Sequence, residues 1–268
     1  MRRTALCSLC IALSFSAFAI AQNQTPPPHD PQALTVLKQA IANMGGSAPG
    51  DSTASGTIST TAGGSTENGA IVVLTRGTDQ TSEQIQTADG STSVYSQGSA
   101  SQVQGGKVKP LPLERAVTAQ SADFPLPLFV GMLNDSDSAY VYVGLETLNG
   151  TSAHHVQLWN SFVSTPKLSA LAAFSVRDIW INASSSLPVR ISYADHFGEG
   201  SSGSVAFDVT LSNYATFSGI QYPLSIQKSV NGTPWALQSS SVVRSRWQPM
   251  MRRVIRGQRM VVLERILV

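Results

Sequence analysis

The sequence predicts a mainly β fold with a few helices, built around one large, curved antiparallel sheet or incomplete barrel. About eleven short segments follow residue 53, separated by Gly, Asp-Gly, Asn-Gly or Gly-Gly, as in a series of hairpins. In one of them Val205, Phe207, Val209 and Leu211 alternate with small or polar residues, which indicates one apolar and one wet sheet face. So many strands in one chain favour a curved sheet over a small sandwich.

The amino terminus has the pattern of a secretory signal. Two arginines precede an apolar run over residues 5–20, and an Ala-x-Ala site ends at Ala21. We therefore predict a signal peptide over residues 1–21, cleaved after Ala21, and a periplasmic or secreted protein with no transmembrane span after cleavage. Cys7 and Cys10 both lie in this segment, so disulfides, thiol catalysis and cysteine–zinc sites are excluded from the mature chain.

A leader and one helix come next. Residues 22–29 are polar and proline-rich, which is typical of a flexible leader. Asp30 then serves as a predicted N-cap and Pro31 as the first helical residue, while Gly45 ends the helix. The apolar stripe expected on this helix comprises Leu34, Leu37, Ile41 and Met44.

The remaining elements are mostly strands. The alternating segments predict strands at residues 70–76, 83–87, 92–95, 102–108, 139–148, 154–159, 175–182, 189–196, 204–213, 220–228 and 234–243. Residues 111–133 interrupt this series with an apolar stretch broken by prolines. That composition favours a loop and a short helix, which must pack over another apolar surface.

Motifs for catalysis are weak or missing. His154 and His155 are neighbours on a strand and point to opposite faces, so they cannot easily chelate one metal. The chain has no G-x-S-x-G, Walker or H-E-x-x-H motif, and we predict no catalytic residue, metal or cofactor. A hydrolase that uses Asp178, Asp195 and Asp208 is an alternative without a supporting spacing.

Two further patterns are ambiguous. The acidic run at residues 134–138 lacks the glycine and distal glutamate of a calcium loop. Three Asn-x-Ser/Thr sequons begin at Asn149, Asn182 and Asn231; two are Asn-Gly pairs, which favours hairpin turns over glycosylation.

Charge is distributed unevenly. Seven arginines and a single acid lie in residues 241–268. The basic tail, residues 244–268, is consistent with a membrane-surface helix, with an unstructured tail, or with out-of-frame translation of a GC-rich gene. Nucleic-acid binding has no supporting fold motif and is not predicted.

Several short motifs resemble one known family. They are Asp178-Ile179-Trp180-Ile181-Asn182 followed by Leu187-Pro188-Val189-Arg190, then Leu211-Ser212-Asn213-Tyr214 and Gly219-Ile220-Gln221-Tyr222-Pro223. Together with the early helix and the strands, this pattern resembles the LolA-like/LppX-like (lipoprotein localisation factor-like) superfamily over residues 30–237. Asn182 stands where that family more often has Asp.

The resemblance implies an open half β-barrel, residues 30–243, whose concave apolar face is covered by helices and loops. It implies a non-enzymatic protein that binds a lipid or the acyl chains of a lipoprotein, with an envelope protein as a further partner. The expected ligand-binding residues are Leu126, Phe129, Leu133, Val205, Phe207, Val209, Leu211 and Leu224. On this hypothesis Phe129→Asp and Phe207→Asp both abolish lipid loading, and Phe129→Asp is the milder change for folding.

The same residues are consistent with a different protein class. If they fill a core, the chain is a structural or interaction module of the cell envelope that exposes its sheet edge or its tail to a partner. An apolar cavity favours ligand binding, and a packed interior favours the module.

Overall fold

The structure, a computed structural model, describes residues 26–88, 90–96, 99–118, 122–195 and 203–245. The predicted signal peptide and nearly all of the basic tail lie outside the described residues. The elements in chain order are α1 (Pro31–Met44), β1 (Ser52–Ala62), β2 (Ser65–Arg76), β3 (Gln80–Thr87), β4 (Gly90–Ser96), β5 (Ala100–Gln104), β6 (Lys107–Pro110), α2 (Leu113–Thr118), α3 (Pro125–Asn134), β7 (Ser138–Leu148), β8 (Thr151–Asn160), a 3₁₀ helix (Pro166–Ser175), β9 (Arg177–Asn182), β10 (Pro188–Asp195), β11 (Val205–Phe217), β12 (Ile220–Val230) and β13 (Thr233–Ser245).

The described strands form a single antiparallel sheet of thirteen strands in the order β6-β5-β4-β3-β2-β1-β13-β12-β11-β10-β9-β8-β7. Consecutive strands are neighbours except β6 and β7, which lie at opposite edges of the sheet. The first and last strands, β1 and β13, pair with each other in the middle of the order. The sheet is open because its two edge strands do not pair. This arrangement confirms the predicted fold class, an open half-barrel with few helices.

The connection between the two edge strands must cross one face of the sheet. We call residues 111–137 the crossing segment. Its α2 lies against β5 and β10, and its α3 lies against β7 and α1. Pro125 and Pro127 both lie in the first turn of α3, where backbone N–H groups have no helical acceptor, so they do not break the helix. The predicted loop and short helix are therefore both present here, and they cover the inner, concave face of the sheet.

The hydrophobic core lies between the inner face and these helices. Because each strand presents alternate residues to that face, the core draws on β1, β2 and β7 to β13. Its largest fully buried side chains include Leu37, Met44, Ile58, Ile71, Phe124, Leu126, Phe129, Leu158, Ile179, Ile181, Ile191 and Tyr222.

Local signals define α1 as predicted. The Asp30 carboxylate accepts hydrogen bonds from the N–H groups of Gln32 and Ala33 at 2.7 and 3.1 Å, which satisfies donors that the first turn leaves free. Gly45 ends the helix with a φ of 124°. A Cβ at Gly45 would meet Gly219 O at 2.9 Å, so glycine is required both by conformation and by the close β11–β12 turn.

Two Asn-Gly pairs form hairpin turns, as predicted. Asn149 and Gly150 have φ angles of 49° and 81°, and Asn231 and Gly232 have angles of 48° and 78°. Positive φ at both central residues is the condition for the turn that matches the twist of the flanking strands.

Two regions of the sheet depart from the prediction. Residues 102–108, predicted as one strand, are divided by a turn at Gly105 and Gly106 into β5 and β6. The strand β1 was not among the predicted segments because its sequence, STASGTISTTA, is dominated by small polar residues. Its inward positions are nevertheless buried, including Ala54 and Ile58.

The outer face carries a ladder of polar and aromatic side chains across β7 to β11. The ring of His155 stacks on Trp180 at 4.3 Å, and its two nitrogens lie 2.7 Å from Glu146 Oε1 and 2.9 Å from Asp178 Oδ1. The Trp180 indole N–H donates to Glu146 Oε2, and together with His155 this bond lowers the pKa of Glu146. The Asp178-Ile179-Trp180 motif therefore stabilises strand pairing on the wet face.

The two sheet edges differ. The four-residue β6 is exposed along its length and carries Lys107, Lys109 and Pro110, which are features that discourage strand pairing. Pro28 and His29, which the sequence assigned to the leader, lie against the start of β7: Tyr140 N–H donates to Pro28 O, and His29 stacks on Tyr140 at 4.7 Å. Beyond this contact Val143 and Leu145 on β7 are 52% and 60% exposed.

Among the described residues, no helix is long and apolar enough to cross a membrane.

Candidate functional site

A cavity of about 980 Å³ opens on the inner face, next to the core. It lies between the β1–β5 half of the sheet and the ends of β10 to β13, with Leu111 and Arg115 of the crossing segment at its side. Its volume falls at the upper end of the range of small-molecule sites. Because the described part of the crossing segment does not fill this region of the inner face, the cavity is the candidate binding site.

One wall of the cavity is aromatic. Tyr193 on β10 and Phe207 on β11 are directly paired in register, and their rings stack at 5.5 Å with an angle of 6°. Trp235 on β13 meets Phe207 edge-on at 6.5 Å and 87°, and Val230 pairs with Phe207 on the other side. Such rings offer a large apolar surface to a ligand.

The opposite wall is rich in hydroxyl and amide groups. Ala62, Ile85 and Val94 are its apolar members. The uncharged polar side chains that line the cavity are those of Thr60, Thr61, Thr81, Thr87, Thr92, Gln102, Gln104 and Thr233. The cavity is thus amphipathic, with an apolar wall on β10 to β13 and a mainly polar wall on β1 to β5.

An ionic cluster forms the floor. The Lys228 ammonium lies 3.0 Å from Asp123 Oδ2 in the crossing segment and 3.2 Å from Glu83 Oε2 on β3. Lys228 and Asp123 are both buried, 8% and 2% exposed. Burial alone would lower the pKa of Lys228, but the two carboxylates raise it above its usual value. The floor therefore holds one cation between two anions and ties three distant parts of the chain together.

The same cluster perturbs Asp123. Burial is the main cause that raises the pKa of Asp123 to about 6, and the charge of Glu83 adds to it, while Lys228 opposes both. A buried carboxyl group next to another carboxylate gives up its proton less readily than a solvated one.

A second ion pair lies at the side of the cavity. Arg115 Nη2 of α2 is 3.2 Å from Asp195 Oδ2 at the end of β10. Next to it, burial raises the pKa of Tyr193 to about 12, so its hydroxyl stays neutral and can donate a hydrogen bond.

The structure places the sequence-predicted binding residues in two environments. Phe207 lines the cavity. Leu126, Phe129, Val209 and Leu211 are buried in the packed core, Leu133 and Leu224 are partly buried against it, and Val205 is partly buried at the start of β11. The predicted residues on β11 and β12 thus lie on the inner face, those of α3 belong to the helix that packs over it, and Phe207 is the member of the set that lines the cavity.

The charged floor was missed in the sequence, although a signal for it exists. Tyr222, Leu224 and Ile226 alternate along β12, and the next residue in this phase is Lys228. A lysine at an inward position needs a buried carboxylate partner. The alternation along β12 therefore predicts that inward acids such as Asp123 or Glu83 lie next to Lys228.

The three acids of the hydrolase alternative lie in different places. Asp178 accepts from His155 and Gln157 on the outer face, and Asp208 pairs there with Arg190. Asp195 lines the cavity and pairs with Arg115. Within the described part of the chain, no group of three or more His, Cys, Asp or Glu side chains is arranged to hold a metal ion.

Comparison with solved structures identifies the fold. A domain named for outer membrane lipoprotein sorting from Vibrio parahaemolyticus superposes with a TM-score of 0.55 at 12% identity, over 81% of this chain and 93% of that one. A LolA superfamily protein from Nitrosomonas europaea gives 0.52 at 14% identity, over 82% and 96%. A DUF1329 family protein from Desulfovibrio piger gives 0.53 at 12% identity, over 82% and 95%.

The chain therefore has a LolA-like fold, and the resemblance predicted from short motifs is confirmed at this level. Neither a protein-family model nor a curated protein matches the sequence.

Proposed function

We propose that this chain is a non-enzymatic binding protein of the cell envelope that holds an acyl amphiphile in the inner-face cavity. The observation that carries the proposal is the cavity of about 980 Å³ with its aromatic wall of Tyr193, Phe207 and Trp235. Transfer of apolar ligand surface from water to this wall contributes about 25 cal/mol per Å². Structural neighbours named for lipoprotein sorting and for LolA support this proposal.

The apolar site proposed here centres on Phe207 and extends to residues outside the sequence-predicted set, namely Tyr193, Val230 and Trp235. Leu126, Phe129, Val209 and Leu211 act in this proposal as the packed support behind the cavity. Leu133, Val205 and Leu224 are not required to touch the ligand.

The proposed location follows from the predicted signal peptide and is tested with the ligand. Protein purified from a bacterial periplasm should begin at Gln22 and, in native mass spectrometry, should carry extra mass that solvent extraction identifies as acyl lipid. Val230→Trp, which adds an indole to the cavity, should lower the loaded fraction. Leu237→Trp on the outer face of β13, where the wild-type side chain is 49% exposed, should leave it unchanged. An apo mass that persists after incubation with envelope lipids would contradict the proposal.

The alternative, an interaction module, is favoured by a different observation. Val143 and Leu145 are exposed on an edge strand without lysine or proline, whereas the opposite edge is protected by both. Antiparallel pairing of two β7 strands about Gly144 would set Val143 of one copy opposite Leu145 of the other. We therefore propose β7 as the contact between two copies of the chain.

This contact predicts self-association. The wild type should sediment as a dimer at high concentration, and Val143→Lys combined with Leu145→Lys should sediment as a monomer. The matched control, Val108→Lys on β6, should not change the mass. A monomeric wild type at all concentrations would exclude this contact.

A further inference from the structure

The charges around the cavity bear on the polar end of its ligand, a question that rests on the proposed function. Among the described residues, Lys228 and Arg115 are the cations that line the cavity. Lys228 is bound to Asp123 and Glu83, and Arg115 is bound to Asp195. An anionic ligand group would therefore have to displace a carboxylate that is already in place.

In the described lining of the cavity, carboxylates outnumber cations. Glu67, Glu83 and Asp195 line the cavity, and Asp123 lies behind its floor. Burial first, and then the charge of Glu83, raise the pKa of Asp123 to about 6 against the opposing effect of Lys228, so the floor already disfavours a further negative charge. A carboxylate or phosphate from a ligand would add a further like charge in a partly desolvated place.

The rest of the polar lining is neutral. Threonine hydroxyls and glutamine amides both donate and accept hydrogen bonds, and they form most of the wall opposite the aromatic rings. This lining can bind a hydroxyl-bearing group without any change in ionisation.

We propose that the cavity selects acyl amphiphiles whose polar end is uncharged and carries hydroxyl groups, and that it discriminates against the same chain ending in a carboxylate. The selectivity comes from cations that are already paired and from a neutral, hydrogen-bonding wall. The apolar chain lies on the aromatic wall in both cases, so chain length does not distinguish the two ligands.

The test uses three ligands with one chain length: monomyristoylglycerol, tetradecylamine and myristate. Each displaces a neutral naphthylamine probe from the mature protein near neutral pH. Monomyristoylglycerol should bind at least about tenfold more tightly than myristate. Equal or tighter binding of myristate, or tightest binding of the amine, overturns the proposal while the cavity remains a lipid site. If none of the three displaces the probe and none is retained in native mass spectrometry, the proposed function fails as well.

A variant distinguishes charge from shape. Asp195→Asn removes a carboxylate partner of Arg115 and should raise the affinity for myristate relative to monomyristoylglycerol by about tenfold. Asp208→Asn removes a carboxylate of the outer face, paired there with Arg190, and should keep the wild-type ratio. An unchanged ratio in Asp195→Asn would show that the paired cations do not determine the selectivity.

Discussion

Lys228→Met should lower the free energy of unfolding by about 3–5 kcal/mol, the cost of removing one partner from a buried ion pair. The variant keeps an unbranched side chain in the floor but leaves Asp123 and Glu83 without the ammonium that lies 3.0 and 3.2 Å away. Denaturant unfolding monitored by tryptophan fluorescence measures the change. Lys38→Met on the exposed face of α1 is the matched control and should stay within about 0.5 kcal/mol of the wild type.

Compensation distinguishes a charge effect from a packing effect. Adding Asp123→Asn and Glu83→Gln to Lys228→Met removes all three charges and should restore most of the lost stability, because a neutral site leaves no buried ion unpaired. If the triple variant is as unstable as Lys228→Met, the lysine acts through its hydrocarbon stem and the electrostatic interpretation is wrong.

The pH dependence of stability has a defined sign. Asp123 has a pKa near 6 in the folded protein and 3.8 as its ordinary value, so the folded state binds the proton more tightly. The contribution of this group to stability therefore falls as pH rises from about 4 to 6 and is constant above. The stability difference between wild type and Asp123→Asn should follow this profile in denaturant titrations. A flat difference would show that Asp123 keeps an ordinary acidity. The deficit of Lys228→Met should likewise shrink towards acidic pH.

Much of the fold could be predicted because its determinants are local. Asp30, Pro31 and Gly45 set the ends of α1 through a cap, a fixed φ and a positive φ. Asn149 and Asn231 mark hairpins whose turn chemistry is contained in two residues. The strand β1 escaped because Ala54 and Ile58 are too few to produce an apolar period, and pairing with β13, almost two hundred residues away, completes it.

The site was harder to predict because it depends on which inward residues the crossing segment covers. Alternation places Phe207, Val209 and Leu211 on one face, yet Leu211 is 2% exposed in the core while Phe207 lines the cavity. That difference is set by the path of residues 111–137 between two edges of the sheet. A period of two residues carries no information about this path, and the same path brings Asp123 to Lys228.

The structure also reverses the expected ranking of two phenylalanine variants by their effect on folding, because Phe129 lies within the crossing segment and Phe207 lines the cavity. Phe129 is fully buried in α3. Phe129→Asp should therefore lower the free energy of unfolding by at least the cost of truncating a buried Phe, about 3–5 kcal/mol, and it also adds an unpaired buried carboxylate. We expect it to unfold the protein or to abolish soluble expression. The sequence-based expectation that this change would be the milder for folding is therefore replaced.

Phe207→Asp should instead leave a folded protein that no longer holds its ligand. Loss of the ring contacts with Tyr193 and Trp235 costs about 0.5–1.5 kcal/mol of stability. The new carboxylate lies in the apolar wall, next to a floor that already disfavours negative charge, and should weaken binding of an acyl amphiphile by about 1–3 kcal/mol, roughly 5- to 150-fold. Probe displacement measures the affinity, and circular dichroism confirms the fold.

Leu237→Asp is the matched control, since this side chain points to solvent from the outer face of β13 and should change neither stability nor affinity. A folded Phe207→Asp variant with wild-type affinity would place the ligand elsewhere, because a charge in the centre of the aromatic wall must weaken the binding of any acyl chain that lies on that wall. Loss of affinity in Phe207→Asp alone would instead locate the acyl chain against the wall formed by Tyr193, Phe207 and Trp235.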